Sequence, residues 1–249
     1  MTIRQWLPNG GLAVVAVLWL IGCAPSGGSP ATPDWSGAWV LAEDSIAAAA
    51  QDSLGLDSGR VPLNAKYLAA RAQSVKLDTP GRLPRCLAAG MPGALDHPMM
   101  HEYLFTPGRV TMLFEDGEVR RIYTDGRTHP PLDEQRDSSM GHSVGRWDGS
   151  VLVVETVGMP KADLLMNFGL QTTPQTRVDE RIFRRDVKTM QIDSVVTDPE
   201  IFTVPYRYTR LYEMSPLPMV EPRCSQTNRD TGTSIELSPP PDQSPRGAP

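Results

Sequence analysis

Positive charge in excess, a bilayer-spanning apolar run and an internal repeat are all missing from this chain. Lys and Arg number 24 against 29 Asp and Glu, a formal net charge of −5. Neither a basic stripe nor interleaved aromatics offsets that balance, so nucleic acid is not an expected partner. The apolar run Gly11–Leu20 is too short to cross a membrane comfortably. Histidine is scarce. His97, His101, His129 and His142 fall in one stretch near Glu102, Asp125 and Asp133. Pro98 interrupts the first pair and no compact His-Glu-x-x-His spacing exists, so neither a metal ion nor another cofactor is expected.

What the chain has is a β-rich centre from Arg109 to Val157. Asp116-Gly117 and Asp148-Gly149 each lie between runs of Val, Ile, Phe and Trp, the pattern of a tight hairpin. A polar loop, Asp125–Gly141, separates the two hairpins and carries Asp125, Arg127, His129, Asp133, Glu134 and Asp137. The layout predicts a rigid β scaffold presenting a polar site.

Residues 1–22 read as a targeting segment, with Arg4 as its basic part. Leu20-Ile21-Gly22-Cys23 resembles the lipobox of bacterial lipoproteins. That resemblance implies cleavage before Cys23, acylation of Cys23 and stable anchoring by several acyl chains, each buried CH₂ adding about 0.8 kcal/mol. Ala24, where an Asp would imply inner-membrane retention, points to the periplasmic face of the outer membrane. Residues 23–34 form an expected tether of Pro, Gly, Ser and Thr. Residues 225–249 form an expected disordered Pro/Ser-rich tail. Between them, 35–224 is long enough for one domain with a full core. With Cys23 lipidated, Cys86 and Cys224 remain to pair in an oxidising compartment, in a bridge worth roughly 4–5 kcal/mol on chain-entropy grounds.

Trp35–Leu41 predicts a first strand. A mainly helical insertion follows at about 43–76, where Leu63, Tyr67, Leu68 and Ala72 share a face. Asp78–Met100 reads as irregular. Strands are expected at Glu102–Thr106, in the two hairpins, and at Thr176–Arg185, Gln191–Thr197 and Pro205–Glu213. The fold expected is mainly β: an antiparallel meander closing into a lipocalin-like β-barrel, since open edges invite aggregation. Gly37-Ala38-Trp39, Thr197-Asp198 and Arg210 resemble the Gly-x-Trp, Thr-Asp turn and closing Arg of the lipocalin and calycin barrels. The strings CLAAGMP, TPGRVTMLFE, RRIYTDGRTHP, GHSVGRWDGSVLVVETVG, DPEIFTVPY and CSQTNRD, across about 84–228, resemble a large family of exported bacterial proteins. That likeness implies a shared fold and no activity.

Gly141-His142-Ser143-Val144-Gly145 spells a nucleophile elbow, yet it enters a strand with no helix behind it and every His lies at or before 142, so a serine hydrolase is not expected. Register carries more. A two-residue turn at Asp148-Gly149 sets His142 opposite Glu155 and Arg146 opposite Val151, with Val144 and Val153 on the same face. A two-residue turn at Asp116-Gly117 puts Arg121 and Tyr123 on the face of Val110, Met112 and Phe114, with Glu115 opposing Glu118. An arginine there needs a ligand or a buried partner such as Glu180 or Asp179. Both faces can point inward only if the polar loop crosses the barrel mouth.

Three functions follow. The leading one is a lipid-anchored protein binding a small, partly apolar, anionic molecule in a barrel cavity through Arg121, Tyr123, Arg127 and Arg146. The second is a barrel enzyme of isomerase, hydratase or lyase type, with His142, Glu155, Asp125 and His129 as acid–base groups. The third is a structural lipoprotein docking a protein partner.

Overall fold

Nine strands run around a closed barrel in chain order. They are β1 Ala38–Leu41, β2 His101–Thr106, β3 Arg109–Phe114, β4 Val119–Tyr123, β5 His142–Asp148, β6 Val151–Val157, β7 Arg177–Arg184, β8 Thr189–Thr197 and β9 Tyr206–Met214. Two helices, α1 Glu43–Leu54 and α2 Ala65–Lys76, are inserted after β1. The computed structural model describes residues 33–54, 60–76, 89–135, 138–159, 161–164 and 170–220. The expected lipidation site at Cys23 and the expected Cys86–Cys224 bridge lie outside the described residues.

Alternation along the strands fills the interior. Trp39, Met112, Ile122, Leu152, Val178, Ile182, Met190, Ile192 and Val196 are all 0% exposed, so no water-sized space touches them at the barrel's waist. Each such side chain contributes about 1.5–3 kcal/mol on burial. One end is plugged by Trp35, whose ring stands edge-on to Tyr103, Phe105 and Trp147 at 5.0–5.5 Å. The other end is closed by α1 and by segments knitted through backbone bonds, including Gly93 N to Asp163 O at 2.9 Å and Met91 N to Ser139 O at 2.9 Å.

Both hairpins form, in registers that differ from those expected. In the first, Gly117 N donates to Phe114 O and Phe114 N to Glu118 O, each at 2.9 Å. The loop therefore has three residues, Glu115-Asp116-Gly117, closed by Gly117 at φ +86°. This is a type I turn followed by a left-handed glycine bulge. One extra loop residue moves the register by one, and that reverses every side chain. Arg120 and Ile122 point inward opposite Met112 and Val110. Arg121 is exposed and Tyr123 half-buried on the outer wall, and Glu115 no longer opposes Glu118.

In the second hairpin Gly149, at φ +62°, takes the first central position and Ser150 the second, as a II′ turn prefers. The partners shift by two. His142 faces Val157, Val144 faces Glu155 and Arg146 faces Val153. The shared face survives, and it is the outer one.

The buried arginine is thus Arg120, and it takes the partner expected for its neighbour. Arg120 Nη1 donates to Glu180 Oε1 at 3.0 Å and Nη2 to the second carboxylate oxygen, while Nε reaches Ser143 Oγ at 3.1 Å and Nη2 reaches Thr156 Oγ1 at 2.8 Å. Nearer the helical end Arg210 donates to Asp96 at 2.7 Å and to Asp52 at 3.1 Å, with Tyr206 OH on Asp52 at 2.8 Å. Burial raises the Asp96 carboxyl, and Arg210 opposes the rise.

The helical face also differs from expectation. Leu63 lies before α2 in a bridge to Phe202, and Leu68 is 56% exposed. Arg71 supplies the packed side instead, its Nε on Ser53 O at 2.8 Å. Asn64 caps the helix through Tyr67 N at 3.1 Å. Of the lipocalin-like positions, Trp39 is buried with Arg184 over its ring. Asp198 binds the hydroxyls of Thr173 and Thr176 at 2.6 Å. Arg210 serves the helical end and not Trp39.

One ladder departs from the meander. β4 and β5 are parallel, paired only at Ile122↔Ser143 and Tyr123↔Val144. A parallel pair needs a connection long enough to return the chain to its starting end. The described residues of the connection, 124–135 and 138–141, run along the outside of the wall and not across the mouth.

Candidate functional site

The returning loop is tied at its start by Thr124 N to Gly108 O at 2.8 Å. Asp125 packs over Gly108, where an added Cβ would come within 3.1 Å of the Asp125 side chain. Arg127 then folds back. Its Nε lies 2.9 and 3.0 Å from the two Asp125 carboxylate oxygens, and its guanidinium sits 3.9 Å over the Tyr123 ring. The ring's stacking partner is His142, with centroids 5.3 Å apart at 26°. A forked ion pair and a cation–π contact together fix this exposed arginine. Asp125 is held below the usual carboxylate value, chiefly by its bonds from Arg127.

Two residues further, His129 meets the wall. Its Nδ1 lies 2.8 Å from His142 Nδ1, with the rings edge-on at 5.0 Å. His129 Nε2 is 3.4 Å from Glu155 Oε1, an ion-pair distance without the alignment of a formed hydrogen bond. Glu155 Oε2 lies 2.7 Å from Arg177 Nη2 as an ion pair, and Arg177 also holds Asp179 at 2.7 Å. Glu155 faces Asp179 across the β6–β7 ladder, and Arg177 bridges the two like charges. Burial lowers both imidazoles below the ordinary histidine value. Glu155 opposes that for His129, whereas His129 and Arg127 add to it for His142.

These groups line two adjoining spaces on the outer wall. A wide basin of about 760 Å³ is bordered by Asp125, Arg127, His129, Glu134 and His142. A groove of about 470 Å³ lies beside it, floored by Val144 and Val153 and edged by Arg127, Arg146, Glu155 and Arg177. Gly126 and Arg127 border both.

His142, His129, Glu155 and Asp125 therefore gather around one region, as do Tyr123, Arg127 and Arg146, but on the outer face. His142 meets Glu155 through His129 and not directly. Arg121 stands on the neighbouring ladder, exposed. Sequence reasoning missed Arg177 as the brace of Glu155. The sequence offered half of the signal: Arg177 and Asp179 alternate on an expected strand, but the register that sets Asp179 against Glu155 is seen only in the structure. Ser143, the would-be nucleophile, is 0% exposed inside the barrel and bonded to Arg120.

The other two histidines lie apart. His101 is buried among Tyr103, Phe114 and Tyr212, and burial pushes it down to about 3. Burial pushes His97 to about 4. Among the described residues no group of three or more His, Cys, Asp or Glu is gathered as a metal site. No protein-family model, curated protein or solved structure matches the chain.

Proposed function

We propose that this is a lipoprotein, anchored through Cys23 at the periplasmic face of the outer membrane, that binds a small acid with an apolar body in the groove on its outer wall. The observation that supports the reading is Arg146. Arg127 is matched by Asp125, and Arg177 by Glu155 and Asp179. Arg146 is exposed at the groove's edge and has no ion-pair partner among the described residues. A guanidinium offers a carboxylate two parallel bonds, and half-buried Val144 and Val153 offer the ligand's body an apolar floor. The groove's volume, about 470 Å³, suits a small molecule. The reading keeps the ligand class expected from the sequence and moves it outside the barrel, because Arg146, Arg127 and Tyr123 all face outward.

Sodium 2-naphthoate is a direct probe, with neutral 2-naphthalenemethanol as its control. The acid should bind at least tenfold more tightly than the alcohol. Arg146→Ala should weaken it by at least tenfold, about 1.4 kcal/mol, with unchanged circular dichroism. Equal affinity in wild type and Arg146→Ala would remove the groove as the binding site.

A further inference from the structure

We infer that the groove and the basin beside it together form a proton-transfer site, with His142 Nε2 on the basin side as the base, acting on a carbon acid whose carboxylate Arg146 holds in the groove. The inference rests on the binding reading above and adds a reaction to it. Two neutral imidazoles whose Nδ1 atoms are 2.8 Å apart must share one proton, one ring donating and the other accepting. Glu155 decides which. Its carboxylate beside His129 Nε2 favours the proton on that nitrogen, which leaves His129 Nδ1 as the acceptor. His142 then donates from Nδ1 and carries its lone pair on Nε2, which makes no hydrogen bond among the described residues. Arg177 holds Glu155 in place. Glu155 and His129 are positioning residues; His142 is the group that meets the substrate.

Spacing fits such a substrate. His142 and Arg146 lie four residues apart on one face of β5, about 13 Å between Cα atoms, a span that an arginine side chain and a small aromatic acid together bridge. In a 2-oxo acid, the C–H bond beside the carbonyl breaks, its proton goes to Nε2, and its electron pair forms the C=C of the enolate. The charge passes to the carbonyl oxygen, for which Arg127, bordering both spaces, has Nη1, the nitrogen that its fork to Asp125 leaves out. The imidazolium then returns a proton to carbon, and in D₂O a deuteron.

Two measurements test this. Nitrogen-15 NMR should find His142 protonated at Nδ1 and His129 at Nε2 near neutral pH. Exchange of the C3 protons of phenylpyruvate in D₂O should run at least tenfold faster with wild type than with His142→Gln. Arg146→Ala should raise KM with little change in kcat. The rate should fall as pH drops through the His142 value, which burial holds below the ordinary one. His129→Ala should move that midpoint upward and Glu155→Gln should alter the tautomer. A His142 protonated at Nε2, or equal exchange in wild type and His142→Gln, would overturn the inference. Because 2-naphthoate has no such C–H bond, its binding is unaffected by that failure.

Discussion

Arg120 is saturated: every guanidinium nitrogen has a partner inside the barrel, and Glu180 takes two of the bonds. Removing one charge strands the other where water cannot follow. Glu180→Gln should cost about 3–5 kcal/mol in urea unfolding, and Arg120→Met with Glu180→Leu should recover most of it, since an apolar pair of similar volume escapes desolvation. A single-variant cost below about 1 kcal/mol would show that the pair is solvated in the native state. The need for an inward arginine to meet a ligand, Glu180 or Asp179 was legible in the sequence, and Glu180 is the one it meets. Which of two adjacent arginines it would be was not legible, because that depends on one residue in a turn.

Turns decide faces in this fold. Asp-Gly marked both hairpins correctly, yet Gly117 closes a three-residue loop while Gly149 opens a two-residue one. The dipeptide alone does not say which end of the turn its glycine occupies. The second shift was even, so the outward set His142, Val144, Arg146 and Glu155 stayed together. The first was odd and reversed Arg121. Gly149→Ala tests the backbone's share alone, since a Cβ there meets nothing within 4 Å. It should lower stability by about 1–2 kcal/mol in thermal unfolding and leave the ladder's amide pattern intact. Gly141→Ala should cost more, because its Cβ would meet Met159 Cγ at 2.5 Å and Val157 O at 2.6 Å. Equal losses at the two sites would refute that distinction. In α2 the apolar spacing misled for a related reason: a polar contact, Arg71 on Ser53 O, sets the docked side.

For the whole molecule, the proposed anchor is the part most open to a quick test. Cys23→Ala should release the protein from the membrane fraction, and unchanged fractionation would refute lipidation. Closure of the strands into a barrel was legible from their number and order. The site's position outside it was not, because the sequence does not announce a parallel pair. That pair has an arithmetic cause. Strands that alternate up and down can close into a ring without a repeat only if their number is even, and here there are nine. One neighbouring pair must point the same way, and β4 and β5 are that pair. The chain owes an external return at this junction alone, and the return carries Asp125, Arg127 and His129 onto the wall beside His142 and Glu155. The polar groove exists because nine is odd.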